Sequence, residues 1–297
     1  MRWKNRQGSS NVEDRRASTG GAQRAGGSGV GLSLLFMIGK RFGIKGVIII
    51  GVVFLLMWKL GVVDPSMLLE GGAAPKGSAK PVQISAEEQE LFDFVSVVLA
   101  GTEEVWGEQF SQRGAKYQPP TLVVFRGSVQ TACGLGRAAS GPFYCPGDYK
   151  VYIDLSFYHE LEKTFQAPGD FAQAYVIAHE VGHHIQKLLG ASDKVSAMRG
   201  RPDYNEYSVR LELQADYYAG VWAHHSRQYL EQGDIEEAMR AANAIGDDAI
   251  QMKSQGRVVP HAFTHGTSEQ RKRWFNKGLQ SGDMTKGDTF SQAYSDL

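Results

Sequence analysis

His179-Glu180-Val181-Gly182-His183 spells HExxH within a stretch of helical character running from Phe171 to Leu189. Residues four apart on a helix share a face, so His179 and His183 can turn both imidazoles toward one metal ion. Glu180 sits one residue round, close enough to act on a metal-activated water without being a ligand. Two histidines are an incomplete site. A catalytic zinc takes three protein ligands and keeps a position open for water, so the chain has to bring a second element against this helix.

Glu212-Leu213-Gln214-Ala215-Asp216 supplies the candidate, on a second stretch of helical pattern from Tyr207 to about Tyr229. Glu212 is the expected third ligand. Asp216, one turn on, is placed to accept a hydrogen bond from the far nitrogen of His179 and so set its tautomer. Acidic pairs at helical spacing usually face solvent. Here Val209, Leu211, Leu213, Ala215 and Tyr217 surround the pair, and a lone buried carboxylate is costly. His224, two turns past Asp216, is the spare ligand, although His224-His225 also reads as an ordinary helix end. His184 points about 100° away from its neighbour and is expected to pack or to support the ligands. Tyr204, Tyr207 and Tyr217 are near enough to serve an oxyanion, but packing of a helix pair is their simpler role. Trp222 and Trp274 are expected in the core.

Together with AHEVGHHIQ and ELQAD, the stretch Thr264-His265-Gly266-Thr267-Ser268-Glu269-Gln270-Arg271 resembles the bacterial putative neutral zinc metallopeptidase family. The opening Met1-Arg2-Trp3-Lys4 and Ser10-Asn11-Val12-Glu13-Asp14-Arg15-Arg16 look like the same family's start, so the resemblance spans nearly the whole chain. The HExxH and ExxxD pairing also looks like the wider glutamate-zincin group, whose fold sets an active-site helix beneath a small sheet. The resemblance implies His179, His183 and Glu212 on Zn2+ and Glu180 as catalytic base. His265 lies in a segment that looks like the His-containing loop of CaaX-type membrane metalloproteases. As a donor opposite the metal it would meet the developing oxyanion; as an ordinary loop histidine it would pack against the last helix.

The formal charge of zero is unevenly spread. Residues 1–45 hold nine Lys/Arg against Glu13 and Asp14, which is +7 and leaves −7 for the rest. An acidic body argues against nucleic acid as a partner. From Phe42 to Val63 the chain runs 22 residues with only Lys45 and Lys59 charged, long enough for a transmembrane helix. No A-x-A cleavage site follows, which favours an uncleaved anchor over a signal peptide. The positive-inside rule then keeps the N-terminus cytoplasmic and exports the body, giving a single-pass protein of the inner (cytoplasmic) membrane with a periplasmic domain. Cys133 and Cys145, twelve apart around a Gly-rich loop, fit a disulfide in an oxidising compartment, with free thiols as the alternative.

The layout expected is a basic disordered cytoplasmic tail (1–41), a transmembrane anchor (42–63), a linker (64–84) and a zinc metallopeptidase domain (85–297). The domain reads as α+β and zincin-like, with a small sheet and several helices. Its first helix starts at a Ser85–Glu88 capping box, strands fall at Thr121–Phe125 and Tyr149–Leu155, and helices cover Glu206–Tyr229, Ile235–Lys253 and Ser268–Leu279. Tyr149–Leu155 is the expected edge strand for an extended peptide. The function expected is peptide-bond hydrolysis by a zinc-activated water with Glu180 as general base, on a peptide or protein substrate. The rivals are a non-catalytic zinc-binding envelope scaffold and a metallohydrolase acting on something other than peptides.

Overall fold

A computed structural model of the chain describes residues 1–17 and 83–297. Among the described residues are six strands and eight α-helices, which bears out an α+β class. The main sheet has the order β1 (Val12–Asp14), β2 (Thr121–Phe125), β6 (Lys150–Asp154), β5 (Phe143–Cys145). β1, β2 and β6 run parallel, and β5 returns antiparallel to β6. β3 (Ser128–Thr131) and β4 (Gly134–Arg137) form a separate antiparallel hairpin.

Alternation along the strands divides the core in two, because successive side chains point to opposite faces. Leu122, Val124, Val151 and Ile153 face the helices. Val123, Phe125 and Tyr152 face the other way and bury Val129 and Cys145. Both faces of β2 and β6 are therefore covered, which is why these strands read as near-continuous apolar runs. Each such side chain contributes about 1.5–3 kcal/mol on burial before ordering costs.

The expected strands at 121–125 and 149–155 appear as β2 and β6. The edge assignment fails: β6 lies between β2 and β5, and the free edge on that side of the sheet is β5. A three-residue strand inside a Gly-rich loop carries too little periodicity to be read from sequence. The Cys133–Cys145 disulfide is formed and ties the β3–β4 turn to the end of β5. Alkylation of the purified protein without reductant should therefore label neither cysteine; two labelled thiols would refute the bridge.

The helices are α1 (Ala86–Ser111), α2 (Ser156–Lys163), α3 (Asp170–Leu188), α4 (Ala191–Ser196), α5 (Tyr204–His225), α6 (Asp234–Ala244), α7 (Asp247–Gln255) and α8 (Ser268–Ser281). Ser85 caps α1 by accepting the Glu88 N–H at 3.1 Å. The box is only half made, since the Glu88 carboxylate turns away to Arg126. A complete box starts α8 instead, between Thr267 and Gln270. The single helix expected over Ile235–Lys253 is two. The chain breaks at Gly246, where a Cβ would lie 2.4 Å from the Ser268 nitrogen, so the close pass onto the start of α8 needs glycine and ends α6.

The expected tail over 1–41 does not hold for residues 1–17. Val12, Glu13 and Asp14 pair in register with Leu122, Val123 and Val124. Met1 is 6% exposed and Arg16 2%. The basic residues that suggested a solvated tail are consumed locally: Arg16 pairs with Asp14, Lys4 with Glu90, and Arg6 stacks 3.5 Å from the Tyr229 ring. One apolar residue in a three-residue strand gave no period to detect. The remaining tail (18–41), the anchor (42–63) and the linker up to residue 82 lie outside the described residues. No helix among the described residues is long and apolar enough to cross a membrane.

Candidate metal centre and active site

Gly182, inside HExxH, and Ala215, inside ELQAD, meet where α3 crosses α5. A Cβ on Gly182 would fall 2.8 Å from the Ala215 carbonyl oxygen and 3.0 Å from its Cα. Two small residues thus let the ligand helices approach at the height of the motif and set Glu212 opposite the histidines. The His179 Nε2 lies 3.2 Å from Glu212 Oε2, and the His183 Nε2 3.5 Å from Glu212 Oε1. One ligand atom from each residue falls within 4.8 Å of the other two. This is a His2Glu donor set with both Nε2 atoms converging, the composition of catalytic zinc sites.

The far nitrogens are held from behind, which is what a metal site requires of its histidines. His179 Nδ1 is 2.7 Å from Asp216 Oδ1, as expected from sequence. His183 Nδ1 is 2.9 Å from Gln186 Oε1, and the Gln186 amide donates to the Leu211 carbonyl at 2.6 Å. With the Gln186 orientation fixed, its oxygen accepts from His183 Nδ1–H and leaves Nε2 as the ligating nitrogen.

Asp216 is fully buried. Arg271 reaches it from α8, with Nε donating to Oδ2 at 2.8 Å and Nη2 to Oδ1 at 3.0 Å. The Tyr175 hydroxyl also donates to Oδ1. Burial alone would raise the Asp216 pKa, but the Arg271 and His179 charges outweigh it and hold the carboxyl at about 2. For His179 burial disfavours the cation, yet the Asp216 carboxylate prevails and lifts the imidazole to about 9. His183 moves up in the same way: burial opposes its charge, and Glu212 more than offsets it. Glu212 is held well below the usual carboxylate range, the two histidines overcoming its burial. A divalent cation bound between these groups would displace the imidazole protons.

Glu180, 9% exposed, lines a cleft of ≈ 420 Å3 together with His179, His183, Glu212, His265 and Arg271. His265 sits on the loop before α8, and its side chain is half exposed. Its Nδ1 lies 3.1 Å from Asp247 Oδ1, leaving Nε2 free. The other Asp247 oxygen accepts the N–H groups of Thr264, His265 and Gly266 at 2.7, 2.6 and 3.1 Å. A single carboxylate at the start of α7 therefore nests the whole loop, and its hydrogen bond to the ring raises the His265 pKa.

His184 packs, as expected. It is fully buried, donates from Nε2 to the Gln118 carbonyl at 2.7 Å and accepts on Nδ1 from the Tyr144 hydroxyl at 3.0 Å. Burial depresses its pKa to about 4, so it stays neutral while joining β5 to α3. His224 is no ligand: its Nδ1 donates to the Leu279 carbonyl at 2.7 Å, and His225 reaches the Gly282 carbonyl at 2.8 Å, so both close the end of α8. The Tyr217 hydroxyl donates to the Asp283 carbonyl, and Trp222 and Trp274 are buried in the core.

Local sequence pattern does not single out Tyr175, Gln186, Asp247 or Arg271. One signal was present: a fully buried Asp216 requires a cation or several donors, and Arg271 lies in the THGTSEQR stretch that carries the resemblance.

A family model described as putative neutral zinc metallopeptidase matches residues 1–290. The chain is similar to the uncharacterized protein YpfJ of Escherichia coli (strain K12), 49% identical over 99% of this chain and 100% of that one. It is also similar to the uncharacterized protein Rv2575 of Mycobacterium tuberculosis (strain H37Rv), 44% identical over 60% of this chain and 64% of that one. No solved structure matches.

Proposed function

The chain belongs to the putative neutral zinc metallopeptidase family, and from that premise we propose that it is a zinc-dependent peptidase with Glu180 as its general base. The observation that carries the reading is the opening of one cleft onto Glu180 and all three converging ligands. A purely structural zinc site closes its fourth position with another Cys or His. Here the space beside the donor set is a cleft able to admit a substrate.

His179, His183 and Glu212 would hold the ion. When bound, zinc would polarise the scissile carbonyl and make a water acidic near neutral pH. Glu180 accepts the proton of the attacking water and returns it to the leaving amine. Asp216 and Gln186 keep both Nε2 atoms aimed into the cleft. β5 is the end strand of the sheet on the side of the cleft, and its Phe143 and Tyr144 line that cleft, so an extended peptide pairs there by strand addition. Phe157, Phe165, Val176, Ile245 and Ile250 form an apolar wall beside the donor set, which suits a bulky apolar side chain next to the scissile bond.

The test is incubation of the full chain with a mixed peptide library, with and without chelator, followed by zinc add-back. Cleavage that stops with chelator and returns with zinc is the expected result. A zinc-loaded protein that cleaves no peptide would refute the reading. Residues 1–17 must be kept, because they belong to the fold.

His265 is the proposed oxyanion donor, acting through the nitrogen that Asp247 leaves free. His265→Ala should lower turnover by about 10²–10³-fold with bound zinc unchanged. Wild-type turnover in that variant would return His265 to a packing role.

A further inference from the structure

The two described stretches of chain meet in one sheet, and that limits how the chain is threaded at a membrane. β1 pairs with β2 in parallel register. The bonding continues past both its ends, from Leu122 N–H to the Asn11 carbonyl at 2.9 Å and from Arg15 N–H to the Val124 carbonyl at 2.8 Å. Upstream, Arg2 N–H donates to the Tyr229 carbonyl at 2.7 Å and Ser9 N–H to the Ser96 carbonyl at 3.0 Å. The Ser9 hydroxyl and the Asn11 amide both donate to Glu103, at 2.7 and 2.8 Å. Downstream, the Arg16 guanidinium donates to the Glu88 carbonyl at 3.0 Å and to the Gln89 side chain at 3.1 Å. It also lies 4.3 Å from the Phe92 ring. Glu88 and Gln89 are in the first turn of α1, a few residues after position 83. The end of the stretch 1–17 and the start of the stretch 83–297 therefore lie beside each other.

A single crossing between those points would put about 30 Å of hydrocarbon between β1 and β2. Backbone groups bonded in one ladder cannot stand on opposite sides of a bilayer. A neighbouring copy donating β1 would not help, since every copy would be threaded alike.

We propose that residues 1–17 and 83–297 lie on the same side of the membrane. A single-pass threading with residues 1–17 cytoplasmic and 83–297 exported does not fit this pairing. Of the nine basic residues up to position 45, Arg2, Lys4, Arg6, Arg15 and Arg16 lie in the folded N-terminal stretch, and only Arg24, Lys40, Arg41 and Lys45 remain outside it. This inference does not depend on whether the cleft hydrolyses peptides.

Side-specific labelling of the full-length protein in its own membrane tests it. Lys4 and Lys286 have side chains 71% and 70% exposed, so Lys4→Cys and Lys286→Cys present one thiol each. A membrane-impermeant, mass-tagged maleimide is added before and after permeabilisation, with the unsubstituted protein as baseline. Both positions should react in the same sample, either both before or both only after permeabilisation. Reaction of one before and the other only after would overturn the proposal. The unsubstituted protein provides an independent readout. Zero-length carbodiimide coupling on isolated membranes should join Lys150 to Glu13, and Lys4 to Glu90, whose charged atoms are 2.9 Å apart. Absence of both cross-links would mean that the strand is not paired in the membrane-bound protein, and would overturn the proposal as well.

Discussion

Replacing Glu180 with glutamine should leave the fold and the zinc content intact while turnover falls by about 10²–10⁴-fold. The two side chains have the same shape, and the donor set at the centre is His179, His183 and Glu212, with Glu180 outside it. What the amide lacks is a site to take a proton from water. The loss should appear in kcat more than in KM, since Glu180 acts on the reacting atoms and not on the body of a peptide. Two measurements decide the matter together: zinc per chain, and turnover on a peptide that the unsubstituted protein cleaves. A variant that loses its metal would make Glu180 a ligand or a structural residue. Retained turnover would mean that another group is the base.

The second large effect is expected on stability. Arg271→Met strips the two-pronged guanidinium from a fully buried carboxylate and leaves it only His179 and Tyr175; breaking a buried pair costs about 3–5 kcal/mol. For a domain of this size that lowers Tm by roughly 10 °C. Asp216 also accepts from His179 Nδ1 at 2.7 Å, so the disturbance should reach the metal centre. Zinc affinity should drop by about 10–100-fold although Arg271 is not a ligand. Asp216→Asn leaves Arg271 as the unpaired group and should be comparably unstable. The pair acts as a unit, so the double variant should lose clearly less than the sum of the two single losses. Additive losses, or an Arg271→Met variant with unchanged Tm and zinc affinity, would show that the two charges are not coupled.

The candidate ligands were legible because a helix has a fixed period. Four-residue spacing puts His179 with His183, and Glu212 with Asp216, on shared faces whatever the rest of the chain does. The cysteine pair, the strands β2 and β6, and the α+β class were readable on similar local grounds. Periodicity cannot say which faces meet. That α3 and α5 cross at Gly182 and Ala215 follows from backbone approach, visible only once both helices are placed. Arg271 is 55 residues from Asp216, and the demand of a buried carboxylate for a cation names no particular partner.

The N-terminus shows the same limit most clearly. Read locally, residues 1–17 are short, polar and basic, and a solvated tail follows. In the fold they complete the open edge of β2, more than a hundred residues away, and the body's acidic side chains and carbonyls take up their charge. The donor set of the candidate metal site was thus set by local sequence. Its supports, the sheet edge at β5 beside it and the placement of the N-terminal strand were decided by the tertiary structure, because each depends on satisfying a buried charge or pairing a strand with a group that only folding brings near.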